Sequence, residues 1–445
     1  AVGCAAMINT TTGYCNEALG RNAMLSNTIG TCNVAIGNGA LYGNTEGTQN
    51  IGIGARALLS NTTGCYNTAV GVMALTTNST SCYNTGVGYG ALVSNSSGNN
   101  NTALGFYTGY FNTTGHNNTS LGAKAGHKTD SGGNNTSVGQ NAMHLNTCGN
   151  YNVAVGTSAM YTTSGNQNTA VGYLSLYKNT VSDNTAVGAY TLACNTTGTY
   201  NTAVGYASQN YTTTGGGNTS LGRQALYLNN DGGAHNTAIG TFAMLSNTSG
   251  GCNVAVGTCA LCSNTSGGGN IAVGWRALCS STTAASNIAV GREALVYNTT
   301  GDCNVAIGLN SMKSALSGDA NVAIGPEALC SNWSGCNNIA IGCKALEDWT
   351  GKEGREGSVA IGTCALATIT TACGNTAVGY MAGQATTNGD NVAVGHCAMH
   401  DNTSGEANVA IGFCASKAGT GARHNVAIGF RALDSSNTCG NVAIG

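Results

Sequence analysis

The sequence predicts an all-β fold, a parallel β-solenoid (β-roll) of about 26 coils with about 17 residues in each, on three observations. A glycine recurs from Gly3, Gly20, Gly37 and Gly54 to Gly412, Gly429 and Gly445, in 27 copies separated by 26 intervals. The four residues before each glycine read Asn-Thr/Val-Ala-Val/Ile almost every time. Strong helix formers are sparse, and Gly and Asn recur faster than a 3.6-residue face tolerates. Such short-period self-similarity marks a chain whose repeats bury apolar surface only against their neighbours. No linker or charge run interrupts it, so residues 1–445 are expected to form one continuous solenoid, a rod of roughly 125 Å at ~4.8 Å per coil.

Taking each glycine as position 0, position −1 is Val, Ile or Leu in all copies, as in Val2, Ile36, Val70 and Ile444. Position −3 is mostly Thr, Val or Ile, and −2 is almost always Ala, with Gly86, Ser120, Ser137 and Ser220 among the exceptions. This period-two alternation of β-branched residues reads as a strand. The expected polarity puts −3 and −1 inside and the small −2 residue outside. Position −4 is Asn in 25 of 26 coils, with Ser358 the exception. One Asn per coil in one register predicts a ladder of stacked amides at a corner. After the glycine comes x-x-Ala-Leu, with Leu or Met at +4 in 21 of 26 coils, a second inward anchor on a second short strand. Asn-Thr-Thr-Gly or a relative follows, which is turn chemistry.

Five coils lose the +4 anchor, at Gly109, Gly126, Gln209, Gly383 and Ser416, and looser cores are expected there, with Tyr110 and Phe111 near the gap at Gly109. The largest slip in period lies between Gly342 and Gly362, where Glu347, Asp348, Trp349, Lys352, Glu353, Arg355 and Glu356 concentrate 6 of the chain's 32 charges. A solvated bulge or a partner-contact loop both account for it.

Charged residues are only 7% of the chain, against about 25% in ordinary soluble domains. With a net charge of −2 and no Lys/Arg cluster, neither nucleic acid nor an anionic membrane surface is an expected partner. No apolar run approaches the roughly 20 residues of a membrane span. The sequence begins and ends inside the motif, at Ala1 and Gly445, so open coil edges are expected to continue into further sequence or to dock on another copy.

Segments such as Asn253-Val254-Ala255-Val256-Gly257 and Asn321-Val322-Ala323-Ile324-Gly325 resemble the Asn-Ser-Val-Ala-Ile-Gly head repeat of YadA-like trimeric autotransporter adhesins. Similar repeats occur in tail fibres of phages and large viruses. The resemblance covers every coil but about a third of each. It implies a left-handed parallel β-roll, association of three rolls and binding to host matrix or cells. The repeat here is longer, with the Ala-Leu-x-x-Asn-Thr-Thr-Gly half added. A triple-stranded β-helix is the alternative architecture.

Twenty cysteines fall in suggestive registers. Cys15 and Cys32, Cys65 and Cys82, Cys262 and Cys279, and Cys397 and Cys414 share positions in adjacent coils. The ~4.8 Å coil spacing lies within the Cα separation of a disulfide, so bridges and an oxidising compartment are one expectation. Register inherited through repeat duplication, without bonds, is the other. Cys259 and Cys262 match C-x-x-C without a second pair, and His396, Cys397 and His400 lack a four-ligand set, so no metal, cofactor or catalytic residue is assigned. Asn-x-Ser/Thr sequons at Asn61, Asn78, Asn95, Asn112, Asn195, Asn247, Asn264, Asn298 and Asn402 would place glycans along one edge if the turns are surface turns and the source is a eukaryote or its virus.

The functional expectation is an extracellular structural or adhesive fibre: a surface filament, adhesin head or virion tail fibre on a cell or virion surface. Its partners are copies of itself, end to end or side by side, and a cell-surface or matrix ligand. An ice-binding solenoid is the alternative, suggested by Thr68, Thr85, Thr102, Thr119 and Thr136, although the expected polarity turns these inward. A polysaccharide-acting β-helix enzyme is disfavoured by the lack of clustered acids and bases.

Overall fold

The computed structural model describes residues 1–350, 357–435 and 437–445. Among them every regular element is a strand, and the coils form a parallel β-solenoid. The chain divides into two compact units, Ala1–Asn218 and Thr219–Gly445. In the first, three-residue strands follow one another from Glu17–Leu19 and Val34–Ile36 to Thr185–Val187 and Thr202–Val204. In the second they run from Thr219–Leu221 and Thr237–Ile239 to Val426–Ile428 and Val442–Ile444. Each strand pairs in parallel with the equivalent residues one coil away, as Val34 with Ile51 and Ile288 with Val305.

The strand polarity is the reverse of the expected one. Ala35, Ala255 and Ala306 at −2 are fully buried, whereas Ile36, Ile271 and Ile339 at −1 or −3 lie on the outside. The interior is thin. A methyl built on Gly52, a −2 residue, lies 3.3 Å from both the Ala57 carbonyl oxygen and Leu41 Cγ, so the −2 side chain meets the +3 and +4 residues across the roll. Ala and one Leu or Met per coil fill that gap, and a β-branched residue at −2 does not fit. Leu41, Leu58, Leu261 and Met312 at +4 are fully buried, as expected.

The second side of the coil is a run of turns instead of the expected strand, apart from the short pairing of Leu145–Asn146 with Thr162–Thr163. Residues +2 and +4 have left-handed backbone, as Arg56 (φ 59°) and Leu58 (φ 51°) show. Inter-coil hydrogen bonds still hold this side, with Leu41 N donating to Ala57 O at 2.9 Å. Left-handed geometry costs an L-residue roughly 1–2 kcal/mol, while burying Leu contributes about 1.5–3 kcal/mol. The two nearly offset, which explains why Gly109, Gly126 and Gly383, at φ 60°, 54° and 59°, are tolerated at +4.

The gap at Gly109 is filled by Leu92 of the preceding coil, whose Cδ2 would lie 2.9 Å from a methyl there, while Phe111 points outward. In the first unit the hydrophobic core nonetheless stops at Ala103 and resumes at Ala142. Between them lie Gly109, Gly126 and a polar core pair, Ser137 Oγ donating to Ser120 Oγ at 2.9 Å. In the second unit the core continues past Gly383 and Ser416.

The coil glycine has a double reason. Gly54 has φ 132°, and a methyl on it would sit 2.4 Å from the Gly71 carbonyl oxygen of the next coil. No other residue allows coils to close to one strand spacing at this corner.

The expected Asn ladder at −4 is present and buried, with Asn50 N donating to Asn33 Oδ1 and Asn67 N to Asn50 Oδ1, at 2.9 and 3.0 Å. The left-handed residue at this corner is the one before it, as in Gln49 (φ 57°). A second ladder runs through the +7 residues, where Asn61 Nδ2 donates to Asn44 Oδ1 at 2.8 Å and Asn78 Nδ2 to Asn61 Oδ1 at 3.0 Å. The two ladders meet at Gly64 O, which accepts from Asn50 and Asn61. Where a shorter hydroxyl replaces the +7 Asn, Thr129 Oγ1 donates to Asn112 Oδ1 and Gly126 O, each at 3.3 Å, whereas at Thr10, Thr163, Thr212, Ser281 and Thr386 the buried oxygen has no partner. Asn264 Oδ1, which faces Ser281 where the next Asn would stand, has none either.

Two predictions test this interior. Ser281→Asn supplies partners to two orphaned positions and should raise stability by about 1–3 kcal/mol in chemical denaturation. Ala306→Leu overpacks the roll and should cost roughly 1–3 kcal/mol or more, whereas Ile307→Thr on the outer face should change stability by about 0.5 kcal/mol or less. Equal effects at 306 and 307 would reject the observed polarity.

Candidate functional site

The strand face that points away from the interior carries its side chains in columns, because each strand pairs in register with the next. In-register parallel strands place the −3 and −1 columns about 6.6 Å apart, with rungs at ~4.8 Å. In the first unit Thr68, Thr85, Thr102, Thr119 and Thr136 form the −3 column, paired one coil to the next. They are half-buried or exposed, beside Val70, Val87, Leu104, Leu121 and Val138. In the second unit the −3 column becomes aliphatic, through Val254, Ile271, Ile288, Val305, Val322 and Ile339. Ile271 is 39% exposed, whereas its neighbour Ala272 is 0% exposed. From Val254 to Ile444 this surface exceeds the few hundred Å² above which an exposed apolar patch marks an interaction site.

The face was legible in the sequence only as a strand. Its outward direction follows from the size of position −2, which is never larger than Ser in any described strand.

The turn-rich side carries aromatic ladders. Tyr110, His127, His144, Tyr161 and Tyr177 stack one per coil, with the His127 and His144 rings 4.8 Å apart. Burial, and then the charge of His127, hold the His144 imidazole below its ordinary range. Tyr380, His396, Phe413 and Phe430 form another ladder in the second unit. His396 thus stacks between rings, while His400 Nδ1 lies 2.6 Å from Asp401 Oδ1. Among the described residues no group of three or more His, Cys, Asp or Glu side chains is placed to hold a metal ion.

A charged cluster surrounds Trp275 in the second unit. Arg276 and Arg292 lie over its ring at 5.3 and 5.1 Å, and Glu293 bridges Arg276 at 3.4 Å and Lys313 at 2.8 Å. The Lys313 hydrogen bond is the largest influence holding the Glu293 carboxyl below its usual range. Cys259, Cys262 and Cys279 adjoin this cluster. The hydrogen bond from Cys262 and the Arg276 guanidinium together hold the Cys279 thiol down to about 6, and its partner Cys262 is pushed up.

All twenty cysteines are free, so the expected bridges Cys15–Cys32, Cys65–Cys82, Cys262–Cys279 and Cys397–Cys414 are not formed. Coil stacking is the reason. In-register side chains leave the backbone in parallel, so their Cβ atoms stay about 4.8 Å apart, wider than the roughly 3.5–4.5 Å that a disulfide needs. The oxidising-compartment argument falls with the bridges. Instead, Cys82 Sγ accepts from Cys65 N at 3.1 Å.

The sequon residues Asn61, Asn78, Asn95, Asn112, Asn195, Asn247, Asn264, Asn298 and Asn402 are at most 1% exposed, because all occupy the inner +7 ladder. The turn residues after them reach the surface, and the asparagine amides do not. These nine asparagines therefore offer no exposed amide for a glycan. In the proposed partner loop, Trp349 is corrected in the same way: it replaces Asn at +7 and is fully buried. Asp348 is exposed, and Glu347 pairs with Lys344 at 2.9 Å. Lys352, Glu353, Arg355 and Glu356 lie outside the described residues.

No family model matches the chain, and no curated protein is similar to it.

The Cys279 environment makes a pH prediction. A thiol pKa held down to about 6 keeps the nucleophilic thiolate present as pH falls to that value, while burial moves Cys330 upward. Peptide-resolved iodoacetamide labelling should show a rate midpoint near pH 6 for Cys279 and one above the ordinary thiol range for Cys330.

Proposed function

We propose that the chain is part of an extracellular structural or adhesive fibre, in which the aliphatic strand face of Thr219–Gly445 packs against the same face of another copy. The observation that supports this reading is the outward pair of β-branched columns from Val254 to Ile444. A β-solenoid fits a stiff rod, since each coil is hydrogen-bonded to the next along the stack. A fibre that repeats the face along its length gains further affinity by multivalency. The placement outside the cell rests on the resemblance to trimeric adhesin heads and tail fibres.

Ice binding is the second reading, and the observed polarity favours it more than the sequence did. The Thr68 to Thr136 column faces outward at one-coil spacing, so the objection that these residues are internal no longer holds.

The two readings separate by experiment. Under the fibre reading, analytical ultracentrifugation shows concentration-dependent association, and Ile288→Lys with Val322→Lys lowers it by about tenfold or more while circular dichroism is unchanged. Association unaffected by both lysines would reject the lateral face. Under the ice reading, the chain shows thermal hysteresis that Thr102→Lys abolishes.

A further inference from the structure

We propose that Cys262 and Cys279 form a two-coordinate site for a soft monovalent cation of the Cu(I) type, bridging two adjacent coils. The inference is independent of the fibre reading and rests on spacing. Both cysteines are the fifth residue after a coil glycine, and Ser263 N donates to Cys279 O at 3.0 Å, which fixes their register. Their side chains leave the backbone side by side, half-buried and one coil apart.

The spacing that is too wide for a disulfide suits this ligation. A thiolate bond to four-coordinate zinc is about 2.3 Å and a two-coordinate bond is shorter, so two collinear bonds span at most about 4.6 Å, which sulfurs leaning together across a coil spacing of ~4.8 Å can meet. An ion between the sulfurs lies along the stacking direction. It meets each Cβ–Sγ bond at close to a right angle, the bent approach that sulfur accepts without movement of the backbone. Zinc is a poor fit because its structural sites take four ligands, and no group of three or more His, Cys, Asp or Glu is placed for a metal among the described residues. Soft thiolates with few ligands select Cu(I).

The charge balances. Two thiols release two protons to solvent, and the bis-thiolate with one monovalent cation carries a single negative charge. The Arg276 guanidinium, hydrogen-bonded to the Cys279 sulfur, lies beside that charge. Half-burial distinguishes the site from Cys15 and Cys32, which stand twelve residues after their own coil glycines and are exposed.

The test uses the full chain, reduced under argon and given Cu(I) as its acetonitrile complex, followed by N-ethylmaleimide and peptide-resolved mass spectrometry. At free Cu(I) of about ten times the dissociation constant, labelling of Cys262 and Cys279 should fall together by about tenfold, with Cys252 and Cys303 unchanged. In Cys262→Ser, a near-isosteric change, Cys279 should lose its protection. Copper X-ray absorption should show two sulfur neighbours in the wild type. Protection spread evenly over the thiols, protection that begins at another pair, or protection of Cys279 surviving in Cys262→Ser would overturn the proposal. The wild-type labelling pattern alone suffices to reject it, so a variant that fails to fold does not shelter it.

Discussion

Coils held in register at one strand spacing are the constraint from which the other features follow. Two devices enforce it. The glycine column removes a side chain that would hold the corners apart, as the clash of a methyl on Gly54 with Gly71 O shows. The paired asparagine ladders then satisfy buried corner groups, with Gly64 O accepting from both Asn50 and Asn61. Buried amides without partners cost on the order of 1–3 kcal/mol each, so a coil that slipped by one residue would lose several such bonds together. Register is therefore fixed more strongly here than by strand pairing over three residues alone.

The period and the strand before each glycine were legible because that motif recurs in every coil, whereas the second expected strand is a run of turns with left-handed residues at +2 and +4. The polarity was not legible, because both faces of the strand are apolar and the usual preference for burying the larger residue points the wrong way. What decides is the thickness of the roll. Leu41 from one side and Ala35 from the other already fill it, so Ile36 has room only outside. Tolerance to change carries the signal: position −3 accepts Glu17, Thr68 and Ile271, whereas −2 accepts only Ala, Gly and Ser in the described strands.

The +7 ladder was hidden for a different reason. Asn-Thr-Thr-Gly satisfies the composition of a surface turn, and the asparagine that opens it was read with its neighbours. Yet it recurs in the same fixed relation to the coil glycine as the −4 residue does, and that regularity is the mark of an interior position. Five of the hydroxyl residues standing in for it, Thr10, Thr163, Thr212, Ser281 and Thr386, leave unpartnered oxygens, so the ladder is incomplete in both units. Trp349 and Ile369 at the same position convert the corner from polar to apolar locally.

Because every outward position becomes a column, a surface property in this fold is set by runs of substitutions and not by single residues. Threonine occupies the −3 column over Thr68 to Thr136, and aliphatic residues occupy it over Val254 to Ile339. The same rule places His127 over His144 and Cys262 beside Cys279. A spacing of about 4.8 Å suits stacked rings and two-coordinate ions, is too wide for disulfides, and brings like charges close enough to repel. Scarcity of charge is thus a condition of the architecture: a charged column would accumulate repulsion at every coil, and the charges around Glu293 are kept where Arg276 and Lys313 alternate with it.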